Sequence, residues 1–416
     1  MNNNLSIDFH KLLFALSTAL DISGRGVMKH HIRVALIARQ IAEEHKLDQE
    51  DINIITYASL LHDIGTITFA EKNKLLDFEV KDTYDHCERG ARFLKCSRLL
   101  EYLSEIVYCH HDRWDGKNRT GLAGSEIPLA SRIIHLADRV DVLIDNNQYI
   151  LHQRDDIIKK IKSLSGTVLD PTLVDILGHL SSQESFWLDL TAGAYDTILL
   201  NRLKHSRENV NMKDLLSVGE VFAQVIDSKS SFTHIHSRLV SMVSSRIASI
   251  AGMTPSQCQS MGVAGLLHDL GKLVVPEEIL EKPGRLTTNE YNIIKSHSYY
   301  TYRVLEMVEG FEEINQWASY HHETLNGNGY PFGIKGENIN NGARIMAVSD
   351  IFAALVEDRP YRPGLPRNKV EQILVDKVKQ QCLDQQWVGL LLENYNLLLG
   401  VKEELNKNYN PPSPSC

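Results

Sequence analysis

Histidine and aspartate recur in this sequence at spacings that suit metal coordination. The chain has 416 residues and 18 histidines, and ten of these histidines fall into two sets with the same internal order. Each set reads His, His-Asp, His, His-His and Asp along the chain. The first set is His30, His62, Asp63, His86, His110, His111 and Asp138, and the second is His236, His268, Asp269, His297, His321, His322 and Asp350.

The intervals between these residues indicate an internal duplication. From the first histidine to the His-Asp pair is 32 residues in both sets, and from the next histidine to the His-His pair is 24 residues in both. From the end of the His-His pair to the last aspartate is 27 residues in one set and 28 in the other. Because histidine is a minor component of the chain, chance does not explain such agreement, and we interpret the sequence as two tandem copies of one unit.

The ligand types indicate which chemistry the repeat could perform. Imidazole and carboxylate groups suit iron, manganese, zinc or nickel, whereas calcium prefers oxygen ligands alone. Five histidines and two aspartates exceed the needs of one ion, so we expect two ions in each half with the aspartate of the His-Asp pair between them. Two ions about 3.5–4 Å apart lower the pKa of a water molecule towards about 7 and stabilise the attacking and leaving oxygens. The pattern therefore predicts phosphoester hydrolysis.

The composition excludes several other classes of protein. Hydrophobic residues make up 43% of the chain and charged residues 23%, which is an ordinary globular balance. The net charge of -9 provides no overall basic field for a nucleic-acid polymer. No apolar run approaches the roughly 20 residues of a membrane helix, no signal peptide is recognisable, and the six cysteines follow no paired spacing. We expect a cytoplasmic protein that binds neither a nucleic-acid polymer nor a membrane.

The segments that carry the repeated residues have helical signatures. Thr254-Pro255-Ser256-Gln257 combines a helix cap, a proline at the first helical position and a glutamine at the third, and the run that follows ends at His268-Asp269. The run 344–355 has apolar residues at helical spacing beside Asp350. Strand signals of comparable strength are absent from the sequence. We expect an all-α protein with domains at 1–200 and 201–400 and a tail at 401–416, of which residues 410–416 should be disordered.

These motifs resemble the HD superfamily of metal-dependent phosphohydrolases, and the second half resembles its HD-GYP branch. The resemblance covers about residues 227–362 and rests on His268-Asp269-Leu270-Gly271-Lys272, His321-His322-Glu323, Asn326-Gly327-Asn328-Gly329-Tyr330-Pro331 and Asp358-Arg359-Pro360-Tyr361-Arg362. It implies a catalytic domain that hydrolyses a cyclic dinucleotide and uses the second His/Asp set as metal ligands. It also implies Asp269 and Lys272 as catalytic residues, and Lys272, Gly329, Tyr330, Arg359 and Arg362 as substrate contacts.

The resemblance also bears on the cofactor. Some members of the family bind a third ion through a glutamate four residues before the first histidine, but this chain has Phe232 there. We therefore expect two divalent transition-metal ions in the catalytic site. Iron or manganese is the first expectation, and nickel and zinc are the alternatives.

The first half keeps the ligand types but has lost the motifs around them. Thr66 replaces the lysine of the His-Asp motif, and no Gly-Tyr-Pro turn follows His110-His111. Nine residues beyond Asp138 stands Asn147, where the arginine clamp would begin. We expect a degenerate HD domain that binds metal without turnover. The alternative is an active site for a different substrate.

The tandem arrangement narrows the expected activity. A degenerate HD domain before an intact HD-GYP domain resembles phosphodiesterases that convert 3′3′-cyclic GMP-AMP (3′3′-cGAMP) to a linear dinucleotide, and cyclic di-GMP is the second candidate substrate. Two other functions stay open, namely a cyclic-dinucleotide receptor without hydrolysis and a nucleotide phosphohydrolase of the wider HD superfamily. A homodimer is also compatible with the sequence.

Overall fold

The computed structural model of the chain describes residues 7–23, 26–27, 29–69, 71, 84–191, 193, 195–203, 209–229, 235–358 and 363–408. The described residues are predominantly helical, which confirms the all-α class expected from the sequence. The chain divides into two compact units, of which one is Ile7–Val210 and the other begins at Asn211.

The N-terminal unit contains ten of the described α-helices. They are α1 (Phe9–Asp21), α2 (His30–Glu44), α3 (Gln49–Leu61), α4 (Tyr84–Leu94), α5 (Ser104–Tyr108), α6 (Leu129–Val142), α7 (Ile150–Ser163), α8 (Pro171–Leu180), α9 (Glu184–Asp189) and α10 (Tyr195–Leu203). Two short antiparallel strand pairs accompany these helices. They are β1 (Ile7–Asp8) with β4 (Asn209–Val210), and β2 (Ile22–Ser23) with β3 (Gly26–Val27).

The C-terminal unit likewise contains ten of the described α-helices. They are α11 (Met212–Ser228), α12 (His236–Ile250), α13 (Pro255–Leu267), α14 (Glu277–Leu280), α15 (Thr288–Leu305), α16 (Glu312–Ser319), α17 (Asn341–Val356), α18 (Arg367–Lys379), α19 (Gln385–Glu393) and α20 (Tyr395–Asn408). A 3₁₀ turn, Leu270–Val274, follows α13 directly.

Local sequence signals explain where the helices that carry the ligands begin and end. Thr254 caps α13, because its hydroxyl accepts a hydrogen bond from the Gln257 amide while the Gln257 side chain accepts one from the Thr254 amide. Pro255 occupies the first helical position, as the sequence predicted. The helix ends at Leu267, so His268 and Asp269 lie at its C-terminal end.

Apolar burial holds these helices together. On α12, Leu239, Val243 and Ile247 lie at helical spacing and are fully buried. The α12 helix packs against α13, and α2 packs against α3 in the corresponding way in the other unit. The first histidine of each set therefore begins a buried helix that lies beside the helix ending in the His-Asp pair.

Two glycines allow the His-Asp turn to approach the next ligand helix. A Cβ atom on Gly271 would lie 1.9 Å from the carbonyl oxygen of His297, and one on Gly65 would lie 2.0 Å from that of His86. No side chain fits at either position, because real Cβ atoms do not come so close to other atoms. The glycine of each His-Asp-x-Gly motif thus brings two ligand-bearing segments into backbone contact.

The domain limits differ from those expected from the sequence. The boundary expected after residue 200 falls inside α10, and the N-terminal unit continues to Val210 because β4 pairs with β1 at the start of the same unit. The tail was expected to begin at residue 401, but α20 continues to Asn408, and residues 410–416, which were expected to be disordered, lie outside the described residues. We therefore move the boundary to residues 210 and 211. Within the described part of the chain, no helix is both long enough and apolar enough to cross a membrane.

Candidate metal centres

The structure brings the second His/Asp set together in the C-terminal unit. Five elements contribute its side chains: the start of α12, the end of α13, the middle of α15, the segment after α16 and the middle of α17. Their nitrogen and oxygen atoms form three overlapping groups in which all atoms lie within 4.8 Å of one another. The groups are His236 with His268 and Asp350, His268 with Asp269 and His321, and His297 with His321 and His322.

Asp269 lies between the two ends of this cluster. Its Oδ2 is 3.2 Å from Nε2 of His268 and 3.8 Å from Nε2 of His236. Its Oδ1 is 3.5 Å from Nε2 of His297 on the other side. One carboxylate oxygen therefore faces each group of histidines, which is the arrangement needed to bridge two ions.

Backbone carbonyls orient three of the imidazoles. Nδ1 of His268, His297 and His321 donates a hydrogen bond to the carbonyl oxygen three residues earlier in each case, at 2.8, 2.6 and 2.6 Å. Since Nδ1 carries the proton, Nε2 has a free lone pair directed into the cluster. Nε2 of His268 is buried and makes no hydrogen bond. An unsatisfied buried nitrogen of this kind fits a metal ligand.

The protonation states of His321, His322 and Asp269 suit metal binding, whereas the neighbouring carboxylates of Glu357 and Asp350 raise the pKa of His236. Burial lowers the pKa of His322 to about 3 and holds the pKa of His321 well below its ordinary value. Burial raises the pKa of Asp269, but the nearby His268 and Lys272 outweigh it, so the pKa lies well below the usual range. Neutral imidazoles beside an ionised carboxylate are the forms that coordinate a divalent cation.

One residue of this centre was missed in the sequence. Oε2 of Glu357 lies 2.9 Å from Nδ1 of His236, and both side chains are buried. A carboxylate in this position fixes the orientation of the ring and increases its basicity as a ligand. Glu357 is the first residue after the end of α17, and no motif or spacing in the sequence marked it as part of the centre.

The residues predicted to contact substrate lie beside the cluster where the structure describes them. The Lys272 ammonium contacts Oδ2 of Asp269. The half-buried ring of Tyr330 lies against His322, with 4.8 Å between ring centroids. Gly329 is required there, because a Cβ would lie 2.5 Å from the backbone of Glu323 and Thr324. Arg359 and Arg362 lie outside the described residues, as does Phe232.

A second missed residue, Glu323, holds the turn that carries Tyr330. Its buried carboxylate accepts hydrogen bonds from the amides of Phe332, Gly333 and Ile334 at 2.7, 3.1 and 2.9 Å. The sequence placed Glu323 in a motif without giving it a role. Its position directly after His322 attaches the turn to the histidine pair.

The N-terminal unit has the same bridging arrangement. Oδ2 of Asp63 is 3.5 Å from Nε2 of His62 and 3.8 Å from Nε2 of His30. Its Oδ1 is 3.2 Å from Nε2 of His86 and 3.6 Å from Nε2 of His110. Two ligand groups result, and they are His30 with His62 and Asp63, and Asp63 with His86, His110 and His111. Nε2 of His62 is buried without a hydrogen bond, like its counterpart in the other unit.

The surroundings of the N-terminal cluster differ in three ways. The last aspartate, Asp138, pairs with the guanidinium of Arg139 at 2.7 Å. Thr66 lies where the other unit has a lysine, so no ammonium contacts the bridging carboxylate from that position. Sγ of Cys87 lies 3.5 Å from Nε2 of His86.

Comparison with known proteins supports the repeat. A family model described as an HD domain matches residues 27–143, and a second model with the same description matches residues 220–386. A crystal structure of a cyclic GMP-AMP specific phosphodiesterase from Vibrio cholerae superposes with a TM-score of 0.66 over 97% of this chain and all of that chain. Its sequence identity is 24%, so this likeness shows a shared fold. Fold and clusters together define a tandem HD-domain protein.

Similarity in sequence extends along nearly the whole chain. The 3′3′-cGAMP-specific phosphodiesterase 1 of Vibrio cholerae is 31% identical over 404 residues, which cover 95% of this chain and 93% of that protein. The 3′3′-cGAMP-specific phosphodiesterase 3 of the same organism is 27% identical over 93% of this chain and 95% of its own length. A cyclic di-GMP phosphodiesterase of Pseudomonas aeruginosa is 35% identical over 140 residues, 33% of this chain and 34% of that protein. The chain belongs to the HD-GYP family of cyclic-dinucleotide phosphodiesterases.

Proposed function

We propose that the C-terminal domain hydrolyses one phosphodiester bond of 3′3′-cGAMP and releases a linear dinucleotide. The observation that carries the proposal is the position of Asp269, whose two oxygens face two separate groups of histidines while Lys272 and the Tyr330 turn lie beside them. Two relatives that match this chain over nearly its whole length are named as 3′3′-cGAMP-specific phosphodiesterases, and this similarity supports 3′3′-cGAMP over cyclic di-GMP as the substrate.

Each residue of the centre has a separate task in this proposal. His236, His268, Asp269, His297, His321, His322 and Asp350 would hold two divalent ions. When bound, the ions would activate water for attack on phosphorus and stabilise charge on the phosphate oxygens. The Lys272 ammonium, which lies at the edge of the cluster, would bind a nonbridging oxygen of the attacked phosphate. The Tyr330 ring would pack against a nucleoside of the substrate, and Arg359 and Arg362 would bind the second phosphate.

The donor atoms suggest which ions these are. The C-terminal groups offer imidazole nitrogens and carboxylate oxygens, which suit iron or manganese, with nickel and zinc as alternatives. We propose iron or manganese as the active ion. Metal analysis of anaerobically purified protein, followed by reloading with each metal in turn, tests this assignment.

Product analysis tests the activity. Protein loaded with manganese or iron is incubated with 3′3′-cGAMP, cyclic di-GMP and cyclic di-AMP, and the products are separated by chromatography. We expect a linear dinucleotide from 3′3′-cGAMP at the highest rate. Binding of substrate without a product would instead support a receptor, and hydrolysis of mononucleotides alone would support a nucleotide phosphohydrolase.

Two further proposals concern the oligomeric state of the protein and its location in the cell. We propose a homodimer, which light scattering on the same preparation tests, because a monomeric mass at working concentrations would exclude it. We also propose a cytoplasmic location, which fractionation of cells that express the native protein tests.

A further inference from the structure

A buried thiol lies among the ligands of the N-terminal centre. Cys87 is fully buried on α4, directly after His86, and its Sγ is 3.5 Å from Nε2 of that histidine. The same Nε2 is 3.3 Å from Nε2 of His110 and 3.2 Å from Oδ1 of Asp63. A sulfur, a nitrogen and an oxygen that could each bind a metal therefore lie within 3.5 Å of Nε2 of His86.

The C-terminal domain has a different residue at the position that corresponds to Cys87. There Ser298 follows His297, and its hydroxyl oxygen is 3.2 Å from Nε2 of that histidine. Cys87 therefore replaces a hydroxyl with a thiol at the same place beside the same ligand atom. The N-terminal centre thus has a sulfur atom beside its histidine ligand, where the C-terminal centre has a hydroxyl oxygen.

The separations from Nε2 of His86 are close to those expected between two ligands of one ion. Around a tetrahedral zinc ion with Zn–S about 2.3 Å and Zn–N about 2.0–2.1 Å, neighbouring donor atoms lie roughly 3.3–3.6 Å apart. The separations of Nε2 of His86 from Sγ of Cys87, from Nε2 of His110 and from Oδ1 of Asp63 are 3.5, 3.3 and 3.2 Å. Oδ1 of Asp63 is also a buried oxygen without a hydrogen-bond partner, which independently suits a ligand of a cation.

We propose that the N-terminal centre binds a zinc-class ion with the Cys87 thiolate as a ligand, together with His86, His110 and Asp63. The thiol releases its proton to solvent when the metal–sulfur bond forms, so the sulfur enters as an anion. Thiolate ligands favour zinc over manganese, whereas the all-nitrogen-and-oxygen C-terminal centre has no such preference. The two domains of one chain thus select different metals. This inference does not depend on the hydrolytic activity proposed for the C-terminal domain.

Cobalt substitution tests the ligand directly. The full-length protein is stripped of metal, reloaded with Co²⁺ under anaerobic conditions, and examined for thiolate-to-cobalt charge-transfer absorption in the near ultraviolet, with cobalt content measured in parallel. We expect this band in the wild type. We expect its loss in Cys87→Ser, which gives position 87 the same hydroxyl group that Ser298 has at the corresponding position of the C-terminal domain. Cys109→Ser is the matched control, because Cys109 is also buried beside a ligand histidine, and it should keep the band.

A second variant keeps the proposal testable if Cys87→Ser fails to fold. In this variant Cys96, Cys109, Cys258, Cys382 and Cys416 are all replaced by serine, so Cys87 is the remaining thiol of the chain. Retention of the band would assign it to Cys87. Absence of the band from cobalt-loaded wild type, or its full persistence in folded Cys87→Ser, would overturn the proposal, and neither result bears on catalysis in the other domain.

Discussion

The guanidinium of Arg139 lies 2.7 Å from Oδ2 of Asp138, and both side chains are buried. Oδ1 of Asp138 lies 3.5 Å from Nε2 of His30, much as Oδ1 of Asp350 lies 3.2 Å from Nε2 of His236, but Asp350 is followed by Ile351 and not by an arginine. The last ligand of the N-terminal set is therefore already paired with a cation from its own chain. Because a metal ion and a guanidinium compete for the same carboxylate, Arg139 should weaken binding of a second ion in this domain.

Arg139→Ile, which copies the C-terminal domain, should increase the metal that the protein retains. Without metal, the buried Asp138 carboxylate would lose its partner at a cost of about 3–5 kcal/mol, so the apo variant should melt earlier than the wild type. Metal should restore more stability to the variant than to the wild type. Metal analysis and melting curves with and without metal measure both effects. Arg154→Ile, at a solvent-accessible arginine of the same domain, is the control, and equal metal content in all three proteins would refute competition.

Asp269→Ala should abolish hydrolysis and reduce the metal content, because both groups of ligands lose their shared carboxylate. Asp63→Ala is the matched variant in the N-terminal domain, and it should lower thermal stability while hydrolysis continues. Turnover and metal content of both full-length variants are compared under identical metal loading. Hydrolysis by the Asp269 variant but not by the Asp63 variant would place catalysis in the N-terminal half.

Glu357→Gln should weaken metal binding without removing a ligand. The substitution replaces the carboxylate that orients His236 with an uncharged amide of similar shape. Loss of such a partner lowers metal affinity by about 10- to 100-fold. Competition with a chelator of known affinity measures the change. Glu306→Gln, on the surface of the same domain, should leave the affinity unchanged, and an unaltered affinity in Glu357→Gln would show that this carboxylate does not support the site.

Lys272→Ala should impair substrate capture and leave metal content intact. Removing one charge-assisted contact to phosphate costs about 1.5–3 kcal/mol, or roughly 10- to 150-fold in kcat/KM. Steady-state kinetics and metal analysis are measured on the same preparation. Lys379→Ala removes an exposed lysine that pairs with Asp376 and serves as the control. Loss of an ion from Lys272→Ala would mean that its contact with Asp269 mainly supports metal binding.

Gly271→Ala should destabilise the C-terminal domain strongly, because its methyl group would lie 1.9 Å from the His297 carbonyl oxygen. Overpacking of a rigid core usually costs about 1–3 kcal/mol or more. Gly389→Ala is the matched comparison, since no atom lies within 4 Å of a Cβ built there, within α19. This second variant should be slightly more stable than the wild type, by about 0.4–1 kcal/mol. Melting curves that rank the two variants the other way would contradict the close contact.

The clustering of the repeated histidines and aspartates was predictable because they share one helical framework. The equal intervals from His30 to His62 and from His236 to His268 record the same pair of packed helices in each half, and the structure places both sets in clusters. The helical class and the cap at Thr254 also follow from local signals. These features depend on the spacing of residues along the chain, which can be read directly from the sequence.

Other residues could not be assigned from spacing. Glu357 and Glu323 act through hydrogen bonds that depend on how α17 and the Tyr330 turn approach their partners. Arg139 and Cys87 stand beside predicted ligands, but only the side-chain rotamers direct them to Asp138 and His86. The boundary at Val210 depends on a two-residue strand pair, which is too short to leave a periodic pattern.

The carboxylate of Glu323 gives the Tyr330 turn an anchor that does not depend on the loop after it. Three consecutive amides, those of Phe332, Gly333 and Ile334, converge on this one side chain. The segment directly after Tyr330 and Pro331 is therefore held by the residue that follows the histidine pair. Loss of this one carboxylate would release three amides at once, so the position of the tyrosine ring relies on a single side chain of the chain segment that also carries the histidine pair.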